Sequence, residues 1–423
     1  MATNTSTITD ALYGEIEFSS EISELMGCPL VQRLRRIRLS NIDSVSMPGI
    51  ANGSRYEHSI GVAYLASRLG FRNRISKSDL VVIQAAGLIH DSAITPFGHL
   101  AEEALHYLGH SYHHENKWTA LFGSTDSDEL GGVDLQVYLG YESGLRRWAN
   151  NVFGTGAKTA LEQIFAALTG RGKYGKCIAG AMDLDNLDNV VRIAYHMGLN
   201  ADRQLPLKIA ALMSDSNETE GVLFADDAVD YVRRWLTLRE DVYNHLMLAV
   251  NDFCGKAMIL FATVMGYERN HISPSDWKIT DDDLVRRLLD SGDDDISSAV
   301  KRWLLHDLWA LSDLCWFDGD PPSYADLYSF SRQASDRLGR QCFAYRIKDK
   351  RTRAVQLLLI SRKQIALGKD PNMWLLGVAS PLKKVFTTEE NQLLIQIASD
   401  AFSTRFLGTP KSPQNSFTLF ETA

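Results

Sequence analysis

Two histidines, separated by an apolar stretch and followed much later by a run of aspartates, are the residues of this chain best suited to chemistry. RYEHS occupies residues 55–59, IHD ends in His90 and Asp91, and DLDNLDN spans residues 183–189. Together they supply two imidazoles and two carboxylates, the mixed nitrogen and oxygen donor set that divalent transition metals bind. An ion held in this way keeps coordination positions open and lowers the pKa of a bound water.

The periodicity around each motif says which elements must position these groups. After His58, Val62, Leu65, Ala66 and Leu69 recur at helical spacing, which places His58 at the start of a helix. Ser76 and Asp79 read as a helix cap, and Leu80, Ile83, Gly87 and His90 fall on one inward stripe. In the third segment Leu184, Leu187, Val191 and Ala194 form an apolar face beside a polar one of Asp185, Asn189, Arg192 and His196. A polar stripe next to a core stripe suits a pocket wall.

The 423 residues suffice for a large helical domain with an appendage, and 45% hydrophobic content is ordinary for a globular chain. The N-terminal residues lack the pattern of a signal peptide and the longest apolar run is too short to span a bilayer, so a cytoplasmic protein with no membrane association is expected. Five scattered cysteines, with no CxxC pair, indicate neither a disulfide framework nor a thiolate zinc site. The net charge of −8 disfavours broad nucleic-acid or membrane binding, though a local basic patch can still hold phosphates.

Along the chain, a short strand or hairpin is expected around Ile16 and Phe18. QRLRRIRLS, residues 32–40, is read as one helix that serves either as a solvated face or as a phosphate contact. A surface loop is expected over Gly123–Gly132 and a helix over Thr159–Thr169. Asp226–Val264 reads as long and helical, the acidic stretch Asp281–Ser298 as linker-like, and Trp303–Trp316 as a helix. Beyond about Tyr324, RAVQLLLISR and NMWLLGVA read as strands and Glu389–Phe406 as a closing helix. The expected organisation is an N-terminal hairpin and arginine-rich helix over 1–50, a helical domain over 51–320, a small α+β appendage over 321–407 and a flexible tail over 408–423.

These motifs, in this order, resemble the HD-domain phosphohydrolases, and within them the deoxynucleoside triphosphate triphosphohydrolases, over roughly residues 10–265. DALYG is similar to that family's DPIHG opening, and QRLRRIR, a Pro-Gly turn and RYEHSIGVAYLA to its QRLR…PG…RFEHSLGVGYLA. GLIHDSAITPFGH resembles its HD…GPFSH segment, HHEN falls where it has a histidine followed by glutamate, and DLDNLDNVVR is similar to DVDKWDYFAR. The resemblance implies a mainly α fold with an HD helical core. It makes His58, His90, Asp91 and Asp185 the ligands of a divalent ion, whether manganese, magnesium, iron, cobalt, nickel or zinc. Asp183 is the second choice to Asp185, since Asp183 and Asp188 also suit a helix start, where the macrodipole favours carboxylates. Arg55 is then a phosphate contact, with Arg35 of QRLRRIR, Asn189 and Tyr243 as further substrate contacts.

The chain departs from that pattern at Ile94, where the family has a histidine, and at Asn186 and Asn189, where it has lysine and tyrosine. Leu39 falls near a sugar-reading glutamine and Trp235 near a phosphate-gripping arginine. With the usual histidine replaced by Ile94, His114 polarised by Glu102 is the candidate proton donor, and His99 either binds phosphate or packs as a polar core residue. The expected activity is metal-dependent hydrolysis of a nucleotide, most similar to a (d)NTP triphosphohydrolase, in a homo-oligomer that also meets a nucleotide effector. The alternatives are a nucleotide-sensing regulatory HD protein with degraded catalysis and an HD-type di-iron oxygenase, for which His99, His113 and His114 would have to supply the extra ligands.

Overall fold

Helices dominate the computed structural model, which describes residues 6–41, 44, 46–118, 134–135, 141–142, 144–215 and 222–410. The mainly α class implied by the resemblance holds, with small sheets concentrated toward the C-terminus. The chain opens on an antiparallel hairpin, Ser6–Asp10 with Gly14–Phe18, which turns Ile16 and Phe18 into the core. The expected loop at Gly123–Gly132 and most of the tail beyond Gly408 lie outside the described residues.

Three helices carry the motif residues. Arg55–Ala66 starts at the cap Ser54, whose side chain accepts from the Glu57 amide, and Lys77–Ile89 starts at the cap Ser76, which accepts from the Asp79 amide. Leu184–His196 starts at Asp183, whose carboxylate takes the Asn186 amide. Each cap satisfies an amide that has no partner inside its helix, which fixes where the helix begins and hence where its first turn points. The Arg55–Ala66 helix lies against both others. Its contact with Leu184–His196 depends on Gly61, because a Cβ there would stand 2.1 Å from Asp188 Oδ1.

Packing divides into two cores. The first joins the hairpin, these three helices and Ala228–Leu248. The second is built around Val250–Glu268, which is buried along most of its length, and includes most of the C-terminal elements, while Val355–Leu359 and Gln364–Leu367 pack on the first. The single long helix expected over 226–264 is therefore two helices bent by 62° at Ala249, so that each serves a different core. No single helix among the described residues is long and apolar enough to cross a membrane; only the bent pair passes that test together.

Other expectations need correction. QRLRRIRLS is not one helix: Pro29–Arg33 is α, Leu34–Arg36 is a 3-10 turn, and Arg38 bridges to Ser54. The acidic stretch is not a linker but two capped helices, Asp281–Leu289 and Asp294–Leu304. Asp281 is fully buried and accepts from the amides of Phe97 and Arg38, holding Phe97 at φ 52, a conformation L residues rarely adopt. The helix expected over Trp303–Trp316 stops at Leu304 and gives way to strands Ala310–Leu311 and Cys315–Asp318.

Those strands pair with Met373–Ser380, whose other edge takes Phe343–Lys348, while Phe406–Gly408 adds beyond Cys315–Asp318. A second sheet has the order Gln364–Leu367, Val355–Leu359, Val222–Phe224, Met213–Asp215, with Val355–Leu359 running parallel to Val222–Phe224. The strands expected in RAVQLLLISR and NMWLLGVA are present, and the closing helix is Thr388–Phe402. One chain segment, 349–354, thus crosses from the sheet of the second core to the sheet of the first.

Arg33 holds the two cores together at another point. Its buried guanidinium donates to the carbonyls of Ser92, Ile94, Trp277, Lys278 and Ile279. A charged donor shared among buried carbonyls contributes well beyond an ordinary hydrogen bond. Replacing Arg33 with Met should lower unfolding stability by about 3 kcal/mol or more. Denaturant unfolding indistinguishable from wild type would show that this clamp is dispensable.

Candidate metal centre and adjoining pocket

His58 and His90 meet at their Nε2 atoms, 3.2 Å apart. The opposite nitrogen of each ring is already committed. His90 Nδ1–H donates to the Gly87 carbonyl at 2.8 Å, and His58 Nδ1–H to Asp188 Oδ2 at 3.1 Å. These partners turn both Nε2 atoms toward a common point, where each would offer a lone pair to a bound ion once deprotonated, the orientation used by imidazoles whose other nitrogen is held by a carbonyl or carboxylate. Asp185 Oδ1 lies 2.9 Å from His58 Nε2 and 3.6 Å from His90 Nε2, and Asp91 Oδ2 lies 3.6 Å from His90 Nε2.

Two imidazole nitrogens and two carboxylates converging on one point suit a cation between them. Ligands about 2.1 Å from a common ion at tetrahedral or octahedral angles stand about 3.0–3.4 Å from each other, close to the observed spacing. His58, His90 and Asp185 thus form a group that could hold a metal, with Asp91 beside it. The histidines are buried, whereas the Asp185 side chain is 36% exposed, so the group opens to solvent on that side.

The electrostatics follow from this convergence. Burial works against a charged His58 ring, but hydrogen bonds to Asp185 and Asp188 outweigh it and raise its pKa to about 9. His90 is also raised: burial opposes this, and the charges of Asp91 and Asp185 prevail. Burial pushes the Asp91 carboxyl up, yet the Arg55 guanidinium beside it holds it well below the usual range. Asp183, buried and facing Asp185, is raised to about 6. A site that attracts protons this strongly is one a divalent cation can occupy in their place.

Arg55 links this group to a neighbouring cavity. Its Nη1 donates to Asp91 at 2.6 Å and its Nη2 to Asn41 Oδ1 at 2.7 Å. Asn41 lines a cavity of about 370 Å³ together with His99, Glu102, Tyr243, Tyr324 and Tyr345. Gly98, at φ +64, leaves the space that Asn41 and Arg55 use, since a Cβ would overlap both. Glu102 Oε2 accepts from His114 Nδ1 at 2.9 Å and His99 Nδ1 at 3.3 Å. Burial alone would raise the Glu102 carboxyl, but these bonds, His114 first, hold it at about 2. His99 is lowered, chiefly by burial.

The structure therefore assembles His58, His90, Asp91, Asp185 and Arg55 in one place and His99, Glu102 and His114 in a second, with Tyr243 on the cavity wall. Asn189 is half-buried and its Oδ1 has no hydrogen-bond partner. Arg35 lies on the surface, bonded to Gln32 with its guanidinium 3.9 Å from the Tyr56 ring, and does not line the cavity. Ile94 is fully buried with Leu34 and Ile37.

Two residues central to this geometry escaped the sequence reading. Asp188, read there as a helix-start carboxylate, instead sits buried behind His58; its spacing to Arg192, one helical turn on, was the available signal. Asn41 had none, because its bond to Arg55 is made only by tertiary folding.

Residues 55–138 match the HD domain family model. That stretch of the chain resembles an HD domain. The matched segment covers His58, His90, Asp91 and the His99, Glu102 and His114 group, while Asp185 arrives from outside it. The chain is similar to the deoxynucleoside triphosphate triphosphohydrolase SAMHD1 of Homo sapiens, at 28% identity over 234 residues, 50% of this chain and 37% of that protein. It is also similar to the Bos taurus protein of the same name, at 36% over 124 residues, 28% of this chain and 20% of that one. The chain thus spans less than two fifths of the length of these curated relatives. A solved phosphohydrolase from Bacteroides thetaiotaomicron VPI-5482 shares the fold, with a TM-score of 0.62 at 16% identity, covering 89% of this chain and all of that one. The resemblance to HD-domain phosphohydrolases read from the motifs is upheld by these matches.

If the HD domain group is the metal site, purified His58→Ala and Asp185→Ala proteins should carry less than about a tenth of the wild-type metal by elemental analysis. Wild-type stoichiometry in either would show that the ion is held elsewhere.

Proposed function

We propose that this protein is a metal-dependent phosphohydrolase acting on nucleotides, most similar in chemistry to a (d)NTP triphosphohydrolase. The observation that carries this reading is the junction at Arg55. One guanidinium bonds both Asp91 of the metal-fitting group and Asn41 of the adjoining cavity, so a phosphate held there would lie beside the HD residues. His58, His90, Asp91 and Asp185 would hold the ion, which when bound supplies an acidified water and neutralises charge on a phosphate oxygen.

The chain's own groups have separate tasks. Arg55, oriented from both sides, would bind a phosphate oxygen and counter the charge that develops on it. Glu102, kept ionised, accepts from His114 Nδ1 and fixes the tautomer in which a proton passes through Nε2. His114 is therefore the proposed proton donor to the leaving group and Glu102 the residue that positions it. His99, on the same carboxylate and half-exposed to the cavity, is placed to touch substrate. Tyr243 would pack against the nucleoside, and assembly into a homo-oligomer with a second nucleotide as effector belongs to the same reading.

A specific observation favours a second reading, a nucleotide sensor with weakened catalysis. Ile94 is sealed among Leu34 and Ile37 where the resembled enzymes have a histidine, so no side chain at that position can meet a phosphate.

Turnover of dNTPs, NTPs and nucleoside monophosphates with Mn²⁺, Mg²⁺, Co²⁺ and Fe²⁺, read as released triphosphate, pyrophosphate or phosphate, separates the two. Hydrolysis is expected, with His114→Ala lowering kcat about a hundredfold at unchanged metal content. Tight nucleotide binding without release of any product would replace the hydrolase with the sensor.

A further inference from the structure

The segment joining the two C-terminal sheets reads Lys348-Asp349-Lys350-Arg351-Thr352-Arg353. It is anchored at both ends, by the strand Phe343–Lys348 on the second core and by Val355–Leu359 on the first, so its course between them is fixed by paired backbone. At one end Lys348 and Lys350, with Arg346 just before them, line the cavity that holds His99, Glu102 and Asn41. At the other end Arg353 donates to Asn186 Oδ1 at 2.7 Å and to the Gly180 carbonyl at 3.2 Å. Asn186 is the neighbour of Asp185, so the segment borders both the cavity and the helix start that carries a candidate metal ligand.

The charges along this segment are largely uncompensated. Arg351 is neutralised by Asp349, and Lys348 has a 3.4 Å contact with the exposed Asp320. Arg346, Lys350 and Arg353 form no ion pair among the described residues; Arg346 instead rests on the Tyr324 ring at 4.2 Å. Of the cavity's acids, Glu103 meets Lys256, while Glu102 accepts from histidines and Asp252 from the Ser44 hydroxyl. Arg346 and Lys350, on the cavity wall and in no ion pair among the described residues, attract an anion locally, against the net charge of −8 on the whole chain.

Four guanidiniums among the described residues, those of Arg55, Arg239, Arg340 and Arg346, keep buried donors unmet. Arg346 Nε–H has no acceptor. Arg239, buried and stacked 4.2 Å from the cavity residue Tyr243, has none for Nε–H or Nη1–H. A buried charged donor without an acceptor is costly, and a phosphate oxygen is the acceptor a guanidinium fits best.

We infer that residues 346–353 of the C-terminal appendage form the second wall of the substrate pocket and bind the phosphates of a polyphosphate ester that lie away from the metal group. This rests on the proposed phosphohydrolase reading and names which of this chain's residues grip the anion. It gives the appendage a direct part in substrate binding, with Arg346 and Lys350 as contacts and Arg353 positioning Asn186.

The test is calorimetric titration of the purified full chain with magnesium tripolyphosphate, at low and at physiological salt. Wild type should bind, and Lys350→Glu should bind about tenfold more weakly and with shallower salt dependence. Arg346→Gln combined with Lys350→Glu should weaken binding further, whereas Lys363→Glu, the same charge change on the hairpin outside the cavity, should bind as wild type. Metal content and unfolding midpoint serve as folding controls. Should the double variant fail to fold, Lys350→Glu and Lys350→Gln, at an exposed position, carry the comparison. Unaltered affinity and salt dependence in the Lys350 variants, or equal weakening by Lys363→Glu, would overturn the inference, and continued nucleotide hydrolysis would then leave the phosphohydrolase reading intact. A wild-type protein that neither binds tripolyphosphate nor binds or hydrolyses any nucleotide would overturn both.

Discussion

Asp188 has no exposed surface, and three parts of the molecule are ordered around its carboxylate. It accepts from His58 Nδ1, from the Tyr13 hydroxyl of the N-terminal hairpin and from Arg192 one turn along its own helix. Arg192 continues the network to Asp10 and Glu57, and Glu57 in turn meets His196. Burying so many charges is costly, and removing one partner from such a cluster strands the others. What the network secures is orientation: with Nδ1 held by Asp188, His58 can present only Nε2 to the metal-fitting group. The absence of a side chain at Gly61 is part of the same constraint, because the carboxylate occupies the space a Cβ would take.

The parts of this site visible in the sequence were those encoded locally. His58, His90 and Asp185 each stand in a short motif on an amphipathic helix, and the side chains expected to point inward do so. Long-range partners left no such trace. Asn41 and Asp188 reach their partners across 14 and 130 residues, and neither contact follows from helical spacing. The acidic stretch shows the same limit differently. Its charge density suggested a linker, but Thr280 with Asp283 forms a capping box, and Asp281 turns inward to hold Phe97. Composition pointed outward there while cap chemistry marked a helix start. The bend at Ala249 was hidden because helical periodicity continues through it, and only the existence of two cores explains why the chain must turn.

The two cores give the cavity its character. Its walls come from helix Leu100–Tyr107 and the facing ends of Ala228–Leu248 and Val250–Glu268 on one side and from strand Phe343–Lys348 and helix Tyr324–Leu338 on the other; Met47 and Leu246 pack on the first core and Phe253 and Tyr345 on the second, so neither core alone encloses it. Clefts where two packed units meet are common ligand sites, since each unit can be rigid while the gap between them carries specific polar groups. Here the polar groups differ by side. The HD side offers histidines bridged by Glu102, suited to moving a proton. The appendage side offers cations, suited to holding charge.

That division bears on how the proposed phosphate site tolerates an apolar residue at Ile94. Ile94 is locked with Leu34 and Ile37, and the backbone carbonyl of Ile94 is one of the five that Arg33 holds. The turn that follows leads through Thr95 and Phe97 to His99, with Phe97 fixed by Asp281. The apolar packing thus stabilises the loop between the HD pair and the histidine that lines the cavity. A polar side chain at position 94 would have to be buried in that packing unless the loop moved, and burying it unpaired is unfavourable. Phosphate-binding charge can enter without such a cost from the appendage, where long cationic side chains reach in over a strand edge. In the proposed reading the position of the appendage and the apolar character of Ile94 are linked: the loop can serve as packing where the charge offered to a substrate comes from the other wall.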